Sequence, residues 1–285
     1  MNDIFPTGKA HISYSEIKTW HECPKKHKLM YVDKIQTFVD NPYSDFGTIL
    51  HEEIEFFLKN KTINIERVYE KLDKEWEEKK YDSKEYIEKI TMERERNGWK
   101  YVHEPLDLWK QSAKNILSEF PNFMNSEFPG WELICAELEL YEDIKESELK
   151  FKGFVDCVIT VPYKNKKVFW VIDWKTTGKG GWFFTKRKEF ISLAQIGLYK
   201  SFLAKKLGVS LRDIKVGYVF LKRGAKLGNT CELLKVSVGP KFVEDTDNLI
   251  KRMIASVKKG ISLKNPNGCK FCPYRNTEHC DGNGW

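Results

Sequence analysis

Two apolar segments of the sequence carry acidic residues at positions that could bind a divalent cation. Segment 168–177 begins with valine, aromatic and isoleucine residues and continues with Asp173 and Lys175. Segment 153–159 is also apolar and contains Asp156. Residues two apart share a face of a strand, so the side chains of Asp173 and Lys175 should point the same way. If the segments form neighbouring strands, a cation could relieve the repulsion of the acids and activate water, and the lysine could stabilise phosphoryl charge.

The same residues have a structural interpretation, a buried ion pair between Asp173 and Lys175. Asp-x-Lys triplets are common, and a carboxylate at the end of an apolar strand needs a partner whether or not a metal binds. The second acid, Asp156, weakens this interpretation without removing it. The triplet alone therefore leaves both a metal site and an ion pair open.

Three of the seven cysteines lie close together near the C-terminus, with a spacing that suits metal ligands. Cys269, Cys272 and Cys280 belong to segment 265–285, which is rich in turn-forming residues. Three thiolates leave a tetrahedral site incomplete, and Cys23 is the natural fourth ligand. Four thiolates can hold a zinc ion or a [4Fe–4S] cluster, and the spacing alone does not decide between them.

One histidine offers an alternative zinc ligand, and three further cysteines have a structural interpretation. His279, beside Cys280, could replace a thiolate in a zinc site. The remaining three cysteines lie in predicted strands and are expected to be buried thiols of the core: Cys135, Cys157 and Cys231.

Basic and aromatic residues alternate in segment 176–190, which follows Lys175. Such a segment could contact phosphates with its cations and stack bases on its rings. The other interpretation is a solvated basic loop whose aromatic residues pack on the core. The residues predicted to contact nucleic acid are Lys179, Trp182, Lys186 and Arg187, and the segment also contains Phe183, Phe184 and Lys188.

Hydrophobic periodicity predicts a mixed α/β chain that forms a single domain over residues 1–285. Helices are predicted at 13–32, 47–59, 191–206 and 241–259, the first with a capping box at Ser13 and Glu16. Strands are predicted at 131–141, 151–161, 167–174, 214–221 and 231–238. The charge-rich region 60–130 is predicted to be a helical insertion, helical over 65–120 with breaks near Asn97-Gly98 and Pro105. Residues 265–285 are predicted to form a Cys-rich loop that joins Cys23 at a metal.

The overall composition is that of a globular chain. Of 285 residues, 41% are hydrophobic and 31% charged, which suffices for a core and differs from disordered sequences. The 48 basic and 41 acidic residues give a formal charge of +7, which permits a polyanionic partner without requiring one. No apolar run approaches the ~20 residues of a membrane span, and residues 1–11 lack a signal-peptide pattern, so a cytosolic location and no membrane contact are expected. The sequence has no P-loop motif, which argues against a motor.

Six motifs occur in the order found in the RecB-like branch of the PD-(D/E)xK nuclease superfamily, which the sequence resembles. They are segment 13–24, Gly47 to His51, Ala136-Glu137, Gly153-x-x-Asp156, Asp173-x-Lys175 and Gln195-x-x-x-Tyr199. The resemblance extends from residue 13 to residue 280 and leaves the helical insertion unexplained. It implies a restriction-endonuclease-like fold, with a central mixed sheet flanked by helices, and a deoxyribonuclease that depends on Mg²⁺ or Mn²⁺.

The resemblance also implies roles for individual residues. Asp156 and Asp173 would bind the catalytic metal, with the backbone carbonyl of Trp174 as a further ligand. Lys175 would be the catalytic lysine, and His51 an additional metal ligand. An isolated histidine is more simply a surface or core residue of a helix, so it is the order of the motifs that favours the nuclease interpretation.

Three more residues are assigned to the catalytic site by resemblance. Glu137 would be a further acid, although Glu139 lies on the same strand face two residues later. Gln195 and Tyr199 are four residues apart, so they share a helix face and could contact the phosphate backbone.

The cysteine arrangement resembles that of the iron–sulfur nucleases of this branch, which include CRISPR-associated RecB-like and helicase-associated AddB-type nucleases. It implies a [4Fe–4S] cluster held by Cys23, Cys269, Cys272 and Cys280, with structural zinc as the alternative. The gap of seven residues before Cys280 departs from the family pattern, where five are typical.

The function predicted from these residues is an exonuclease that acts on linear or single-stranded DNA in recombination, repair or end processing. The alternatives are a structure-specific endonuclease and a non-catalytic DNA-binding subunit of a helicase–nuclease complex. Because Asp156, Asp173 and Lys175 are all present, an enzyme is favoured over a non-catalytic subunit. A helicase or recombination protein is a candidate partner.

Overall fold

A computed structural model describes residues 5–36, 40–96, 100–270 and 272–282 of the chain. Its strands are β1 (His11–Ser13), β2 (Glu132–Asp143), β3 (Lys150–Tyr163), β4 (Lys166–Gly178), β5 (Ile214–Arg223) and β6 (Cys231–Val236). Its α-helices are α1 (Tyr14–Glu22), α2 (Pro24–His27), α3 (Pro42–Asn60), α4 (Ile65–Lys79), α5 (Lys84–Arg96), α6 (Leu106–Glu127), α7 (Phe190–Leu207) and α8 (Pro240–Lys258). A π-helical turn at Lys28–Val32 follows α2, and short 3₁₀ turns lie at Lys186–Lys188, Leu211–Asp213 and Pro266–Gly268.

The six strands form one mixed sheet. Its path runs β1, β3, β4, β5, β6, and β2 pairs with β3. The β1–β3 and β4–β5 pairs are parallel. The β2–β3, β3–β4 and β5–β6 pairs are antiparallel. The predicted class, a central mixed sheet flanked by helices, is confirmed.

Two layers of helices cover the faces of the sheet. Helices α1, α7 and α8 pack on one face, and α3, α4 and α6 pack on the other. Strands β4 and β5 are buried on both faces, which explains their nearly continuous apolar sequences. The region predicted as a helical insertion thus supplies two helices of the second layer. Within the described part of the chain, no helix is both long enough and apolar enough to cross a membrane.

The prediction of one helix over 13–32 is wrong. The segment begins with β1, continues as α1, and is interrupted at Cys23 before α2 and the π-helical turn. Cys23 has an extended backbone with φ −165° and ψ 112°. The cause is Pro24, because a proline ring clashes with a helical backbone at the preceding residue. The predicted cap is present, since the Ser13 hydroxyl accepts a hydrogen bond from the Glu16 N–H at 3.3 Å.

The other predicted elements are present with shifted ends. Helix α3 begins five residues before the predicted start, since the side chain of Asn41 caps it by accepting the Ser44 N–H. Pro105 precedes α6 as predicted, but the helix continues through Pro121 to Glu127. The predicted break at Asn97-Gly98 lies outside the described residues.

Candidate active site

The candidate site lies where β3 and β4 separate. β1 pairs with β3 at residues 150–152, and β4 pairs with it at residues 157–163. β2 pairs with β3 alongside both of these stretches, so β1 and β4 share the opposite edge. Between them, residues 153–156 of β3 have no strand partner on this edge within the described chain. Backbone groups in such a gap must be satisfied by side chains or solvent.

Two side chains bridge this gap. The Asp156 carboxylate accepts the backbone N–H of Trp174 at 2.7 Å. The Tyr199 hydroxyl hydrogen-bonds the backbone of Phe154. Gly153 makes room for the tyrosine, since a Cβ at that position would lie 2.9 Å from its ring. In the Gly153-x-x-Asp156 motif, the glycine therefore makes room for the Tyr199 ring, and the aspartate hydrogen-bonds the backbone across the gap.

Three side chains that could hold a metal ion meet beside the gap. One potential ligand atom from each of His51, Glu137 and Asp156 lies within 4.8 Å of the other two. A search of the described residues for clusters of such donors identifies this group. His51 comes from α3, and its Nδ1 lies 3.7 Å from Oδ2 of Asp156. Three elements far apart in sequence thus supply one oxygen- and nitrogen-rich site, and the metal-binding roles assigned to these residues stay predictions.

Burial keeps the His51 imidazole neutral. Burial and the nearby Lys175 ammonium lower the pKa of His51 to about 4, against the opposing effect of a hydrogen bond to the Trp174 backbone. A neutral imidazole has a free ring nitrogen that can bind a metal at pH 7. The Trp174 backbone, predicted to offer its carbonyl as a ligand, therefore lies beside the predicted histidine ligand.

Glu137 has a strained backbone. Its φ is +52°, the left-handed region that non-glycine residues rarely occupy. Such a conformation costs roughly 1–3 kcal/mol and is often found at functional sites. Partial burial and repulsion from Glu55 and Asp173 raise the pKa of Glu137. Glu139 instead lies 3.2 Å from Lys152, so of the two acids in question Glu137 is the one that joins the cluster.

Asp173 lies next to this cluster and pairs with Lys175. The Lys175 ammonium is 2.5 Å from Oδ2 of Asp173, which is 1% exposed. Neither Asp173 oxygen has a hydrogen bond of regular geometry with the described residues. Burial raises the pKa of Asp173, while Lys175 opposes that shift. Burial and repulsion from Asp173 likewise raise the pKa of Asp156. A buried carboxylate that is under-satisfied and close to another acid suits a bound cation.

A polar chain continues from Lys175 into α7. Lys175 Nζ donates to Gln195 Oε1 at 3.0 Å, and Gln195 Nε2 donates to the Tyr199 hydroxyl at 3.1 Å. The Gln-x-x-x-Tyr spacing places both side chains on one helix face, as predicted. The ion-pair and metal interpretations of the Asp-x-Lys triplet are therefore compatible, because the ion pair lies at the edge of the donor cluster.

A groove of about 1100 Å³ leads away from Lys175 and Gln195. It is bordered by α1 and α2, by the loop and helix that follow β4, and by the C-terminal segment. Its lining carries a positive excess, with two glutamates, Glu22 and Glu189, against five lysines: Lys18, Lys26, Lys175, Lys186 and Lys270. Glu22 pairs with Lys18 and Lys26. Such a lining suits a polyanionic ligand.

The loop after β4 combines packed and exposed residues. Trp182 packs against Tyr218 and Phe220, with ring centroids 4.9 and 5.2 Å away. Arg187 pairs with Glu232 and donates to the Trp182 carbonyl. Two of the residues predicted to contact nucleic acid are therefore anchors of the loop. The other two, Lys179 and Lys186, are exposed, and Lys186 lines the groove.

The C-terminal segment folds against the chain near Cys23. The Asn265 N–H lies 3.4 Å from the Cys23 sulfur, and its side chain donates to the Glu22 carbonyl at 2.8 Å. Gly268 permits this contact, since a Cβ there would lie 2.5 Å from the Glu22 carbonyl oxygen. The C-terminal segment and Cys23 are therefore neighbours, and the pairing of the four cysteines at a metal stays a prediction.

The thiols of this region influence one another. Burial raises the pKa of Cys269, and its neighbours Cys23 and Cys280 raise it further. Burial also raises the pKa of Cys272, with smaller contributions from Cys23 and Cys269. His279, the alternative zinc ligand, lies 3.5 Å from Glu278. Of the three predicted core thiols, two are buried and one is half-buried: Cys157 and Cys231, and Cys135.

Comparison with known proteins gives one family and several matching solved structures. A family model of the PD-(D/E)XK nuclease superfamily matches residues 11–277. A crystal structure from Eubacterium rectale described as a "Putative exonuclease" is 9% identical, with 88% of this chain and 82% of that one covered and a TM-score of 0.48. The crystal structure of SSO0001 is 12% identical, with 93% and 84% covered and a TM-score of 0.40. No curated protein sequence matches the chain.

Proposed function

This chain belongs to the PD-(D/E)XK nuclease superfamily, and we propose on that premise that it is a metal-dependent nuclease that hydrolyses phosphodiester bonds of DNA. The observation that carries the proposal is the meeting of His51, Glu137 and Asp156 beside the buried pair of Asp173 and Lys175. A non-catalytic platform would not need a strained glutamate and an under-satisfied carboxylate at the same place.

The donor set fits a hard divalent cation. Two carboxylates and a neutral imidazole within 4.8 Å of one another suit Mg²⁺ or Mn²⁺ better than soft, thiolate-seeking metals. His51, Glu137 and Asp156 would hold the ion, and Asp173 and the Trp174 carbonyl are further candidates. When bound, such an ion activates water and neutralises charge on the phosphoryl oxygens.

The protein's own contribution is to hold a positive charge at the reacting phosphate. The Lys175 ammonium is oriented from two sides, by Asp173 and by Gln195, and its remaining surface faces the groove. A preorganised cation of this kind stabilises the charge that develops in the transition state. Tyr199 fixes Gln195 in turn, so the chain from β4 to α7 positions the lysine.

The lysine-lined groove supports a polynucleotide substrate. Its volume of about 1100 Å³ offers room for part of a DNA strand, and its lysines would pair with phosphates. We infer an exonuclease that acts on linear or single-stranded DNA. The alternative is a structure-specific endonuclease, which would use the same chemistry. It differs from an exonuclease because it does not need a free DNA end.

The proposal is tested with Lys175→Ala and a matched control, Lys166→Ala. Lys166 also pairs with an aspartate, Asp213, but at the opposite end of β4. Loss of one charge-stabilising group costs about 10²–10³ in rate, so Lys175→Ala should lose cleavage of linear DNA with Mg²⁺ while Lys166→Ala retains it. EDTA should stop the wild-type reaction. Full activity in Lys175→Ala would contradict the proposal.

A second substrate separates the two nuclease classes. A covalently closed single-stranded circle has no end, so an exonuclease should leave it intact while degrading the linear strand of the same sequence. Cleavage of the circle at the same rate would identify an endonuclease. Binding of both strands without cleavage of either would identify a DNA-binding subunit.

We further infer that Cys23, Cys269, Cys272 and Cys280 hold a metal centre, and that a [4Fe–4S] cluster is the better candidate. The segment that carries three of these cysteines packs against Cys23, since the Asn265 N–H lies 3.4 Å from the Cys23 sulfur. The order of the four cysteines resembles that of the iron–sulfur nucleases, and this resemblance favours a cluster over zinc. Iron and sulfide analysis of anaerobically purified protein tests this, and one zinc per chain without iron would refute the cluster.

A further inference from the structure

The loop that follows β4 presents two adjacent phenylalanines to solvent. Phe183 is 84% exposed and Phe184 is 70% exposed, the two most exposed large apolar residues of the described chain. Single exposed apolar residues are common, but adjacent apolar side chains that are both exposed often mark a surface that a partner covers. They are the members of this loop that the packing of the protein does not explain.

The residues on both sides of these phenylalanines are fixed. Trp182 packs on Tyr218 and Phe220, and Arg187 holds the other side through Glu232 and the Trp182 carbonyl. A 3₁₀ turn at Lys186–Lys188 then leads into α7. The two rings are therefore displayed by a clamped loop and do not belong to a loose tail.

The charges near the two rings favour an anionic partner. The Lys188 ammonium lies 4.0 Å from the centre of the Phe184 ring, and Lys179 is also exposed on this loop. Lys186 lines the groove together with Lys175, so the loop borders the path that leads to the candidate catalytic lysine. Flat apolar faces interleaved with cations are the combination that binds unpaired nucleotides, whose bases stack while their phosphates pair with lysine.

We propose that Phe183 and Phe184 form a stacking platform for unpaired bases of a DNA strand whose backbone lies in the lysine-lined groove. The platform rests on the proposed nuclease function and makes it specific, because it selects single strands over duplexes. In a duplex the bases are stacked on each other and offer no free face to the rings. The strand would thus be held by its bases beside the loop and by its phosphates at Lys186 and Lys175.

The test is a cycle that combines a protein change with removal of the bases. The protein change is Phe183→Ala with Phe184→Ala, and the DNA change replaces a single-stranded oligonucleotide by an abasic strand of equal length. Binding is measured by fluorescence anisotropy in EDTA, where no cleavage occurs. The control is Tyr163→Ala, which removes a 49% exposed aromatic residue at the end of β3. Tyr163 pairs with Lys166 of β4, which lies nine residues, or roughly 30 Å, along that strand from Lys175.

Stacking on an aromatic side chain changes affinity by about tenfold or more per base. The double variant should therefore bind the normal strand at least tenfold more weakly, bind the abasic strand as wild type does, and leave blunt duplex binding unchanged. Tyr163→Ala should match wild type on all three ligands. An equal loss on normal and abasic strands, an equal loss on the duplex, or no loss at all would overturn the platform.

The two proposals fail in different ways. Hydrolysis of bis(p-nitrophenyl) phosphate, a diester without bases, reports the catalytic site alone, and the double variant should hydrolyse it as wild type does. If wild type cleaves neither this compound nor DNA while the binding cycle shows the expected coupling, the nuclease function fails and the platform stands. If cleavage is normal and the coupling is absent, the platform fails and the nuclease function stands.

Discussion

The protonation state of His51 decides whether the donor cluster can bind a cation at neutral pH. Burial and Lys175 together hold its pKa at about 4. The carboxylates beside it have raised pKa values because they are desolvated and repel one another. A bound cation would offset the repulsion between these carboxylates. A neutral imidazole can coordinate that cation without first losing a proton.

His51→Ala is expected to raise the Mg²⁺ concentration that cleavage requires by about tenfold or more, because a hard ion held by few protein ligands depends on each of them. Excess Mn²⁺ should restore part of the activity, and DNA binding in EDTA should not change. The measurement is cleavage rate against Mg²⁺ concentration. His103→Ala is the control, since His103 also lies beside an aspartate, 3.0 Å from Asp82, in the helical region. An unchanged Mg²⁺ dependence would return His51 to a structural role.

Most residues of the site could be predicted from motif spacing, but their division into anchors and contacts could not. The alternation of basic and aromatic residues in segment 176–190 does not say which ring is buried. Trp182 is an anchor because Tyr218 and Phe220, from a strand that follows much later, pack against it. The residues around position 182 do not reveal these distant partners. The sequence alone therefore could not show that Trp182 is packed while Phe183 is exposed.

At the scale of elements, the site depends on strands that separate and on connections that hold the surrounding helices. One such connection joins α6 to the turn between β5 and β6. The Glu119 carboxylate accepts hydrogen bonds from the Thr230 hydroxyl at 2.6 Å and from the Gly228 N–H at 2.9 Å. Burial alone would raise the pKa of Glu119, but these hydrogen bonds lower it overall. The ionised carboxylate is therefore the form that the fold prefers.

Glu119→Gln should lower the free energy of unfolding at pH 7 by about 1.5–3 kcal/mol, the range for hydrogen bonds to charged groups. A carboxylate whose pKa is lower in the folded state stabilises the fold above its unfolded pKa, and this contribution is lost as pH falls through the folded pKa. The difference between wild type and variant should thus shrink below about pH 4.5. Urea unfolding at several pH values measures it, with the exposed Glu70→Gln as control. A difference that does not vary with pH would contradict this assignment.

Most helices and strands could be predicted from the sequence, and each error has a physical cause. The predicted helix over 13–32 ignored the effect of Pro24 on Cys23, although the proline was visible. The three-residue strand β1 was missed because it is too short for a periodicity signal and exists through pairing with residues 150–152. The gap at residues 153–156 depends on where three strands align, which no single segment specifies.

At the scale of the whole molecule, the C-terminal segment closes on the start of the chain. The Lys25 N–H donates to the Leu263 carbonyl at 3.1 Å, and Asn265 contacts both Glu22 and Cys23. This packing also forms one border of the groove. A metal centre at the four cysteines would therefore stabilise both the fold and the wall of the substrate path.

Cys23→Ser is expected to remove the bound metal and to destabilise the whole protein, although Cys23 lies outside the catalytic cluster. Metal that binds only the folded state adds its binding energy to folding, and the closed loop here is nearly the full chain. Elemental analysis and thermal unfolding measure the two effects. Cys135→Ser, at a half-buried thiol on β2, should keep the metal content of wild type. Undiminished metal in Cys23→Ser would contradict the four-cysteine centre.

The order of the motifs predicted that distant segments would meet, and the family match and the fold agree with it. The helical layer was not foreseen, because a charge-rich helical region gives no sign of which sheet face it covers. Phe120 of α6 packs edge to face on Trp174, 5.3 Å between ring centroids, and so supports the strand that carries Asp173 and Lys175. Such support arises only in the assembled molecule.

The central claim is that the residues around Asp156 bind a divalent cation, and the most direct test locates that ion. Crystals soaked in Mn²⁺ and measured at the manganese absorption edge give an anomalous difference map. We expect one strong peak within coordination distance of His51, Glu137 and Asp156, and its absence in Asp156→Asn crystals. A Mn²⁺ peak elsewhere, with none at this cluster while the same protein cleaves DNA, would contradict the account.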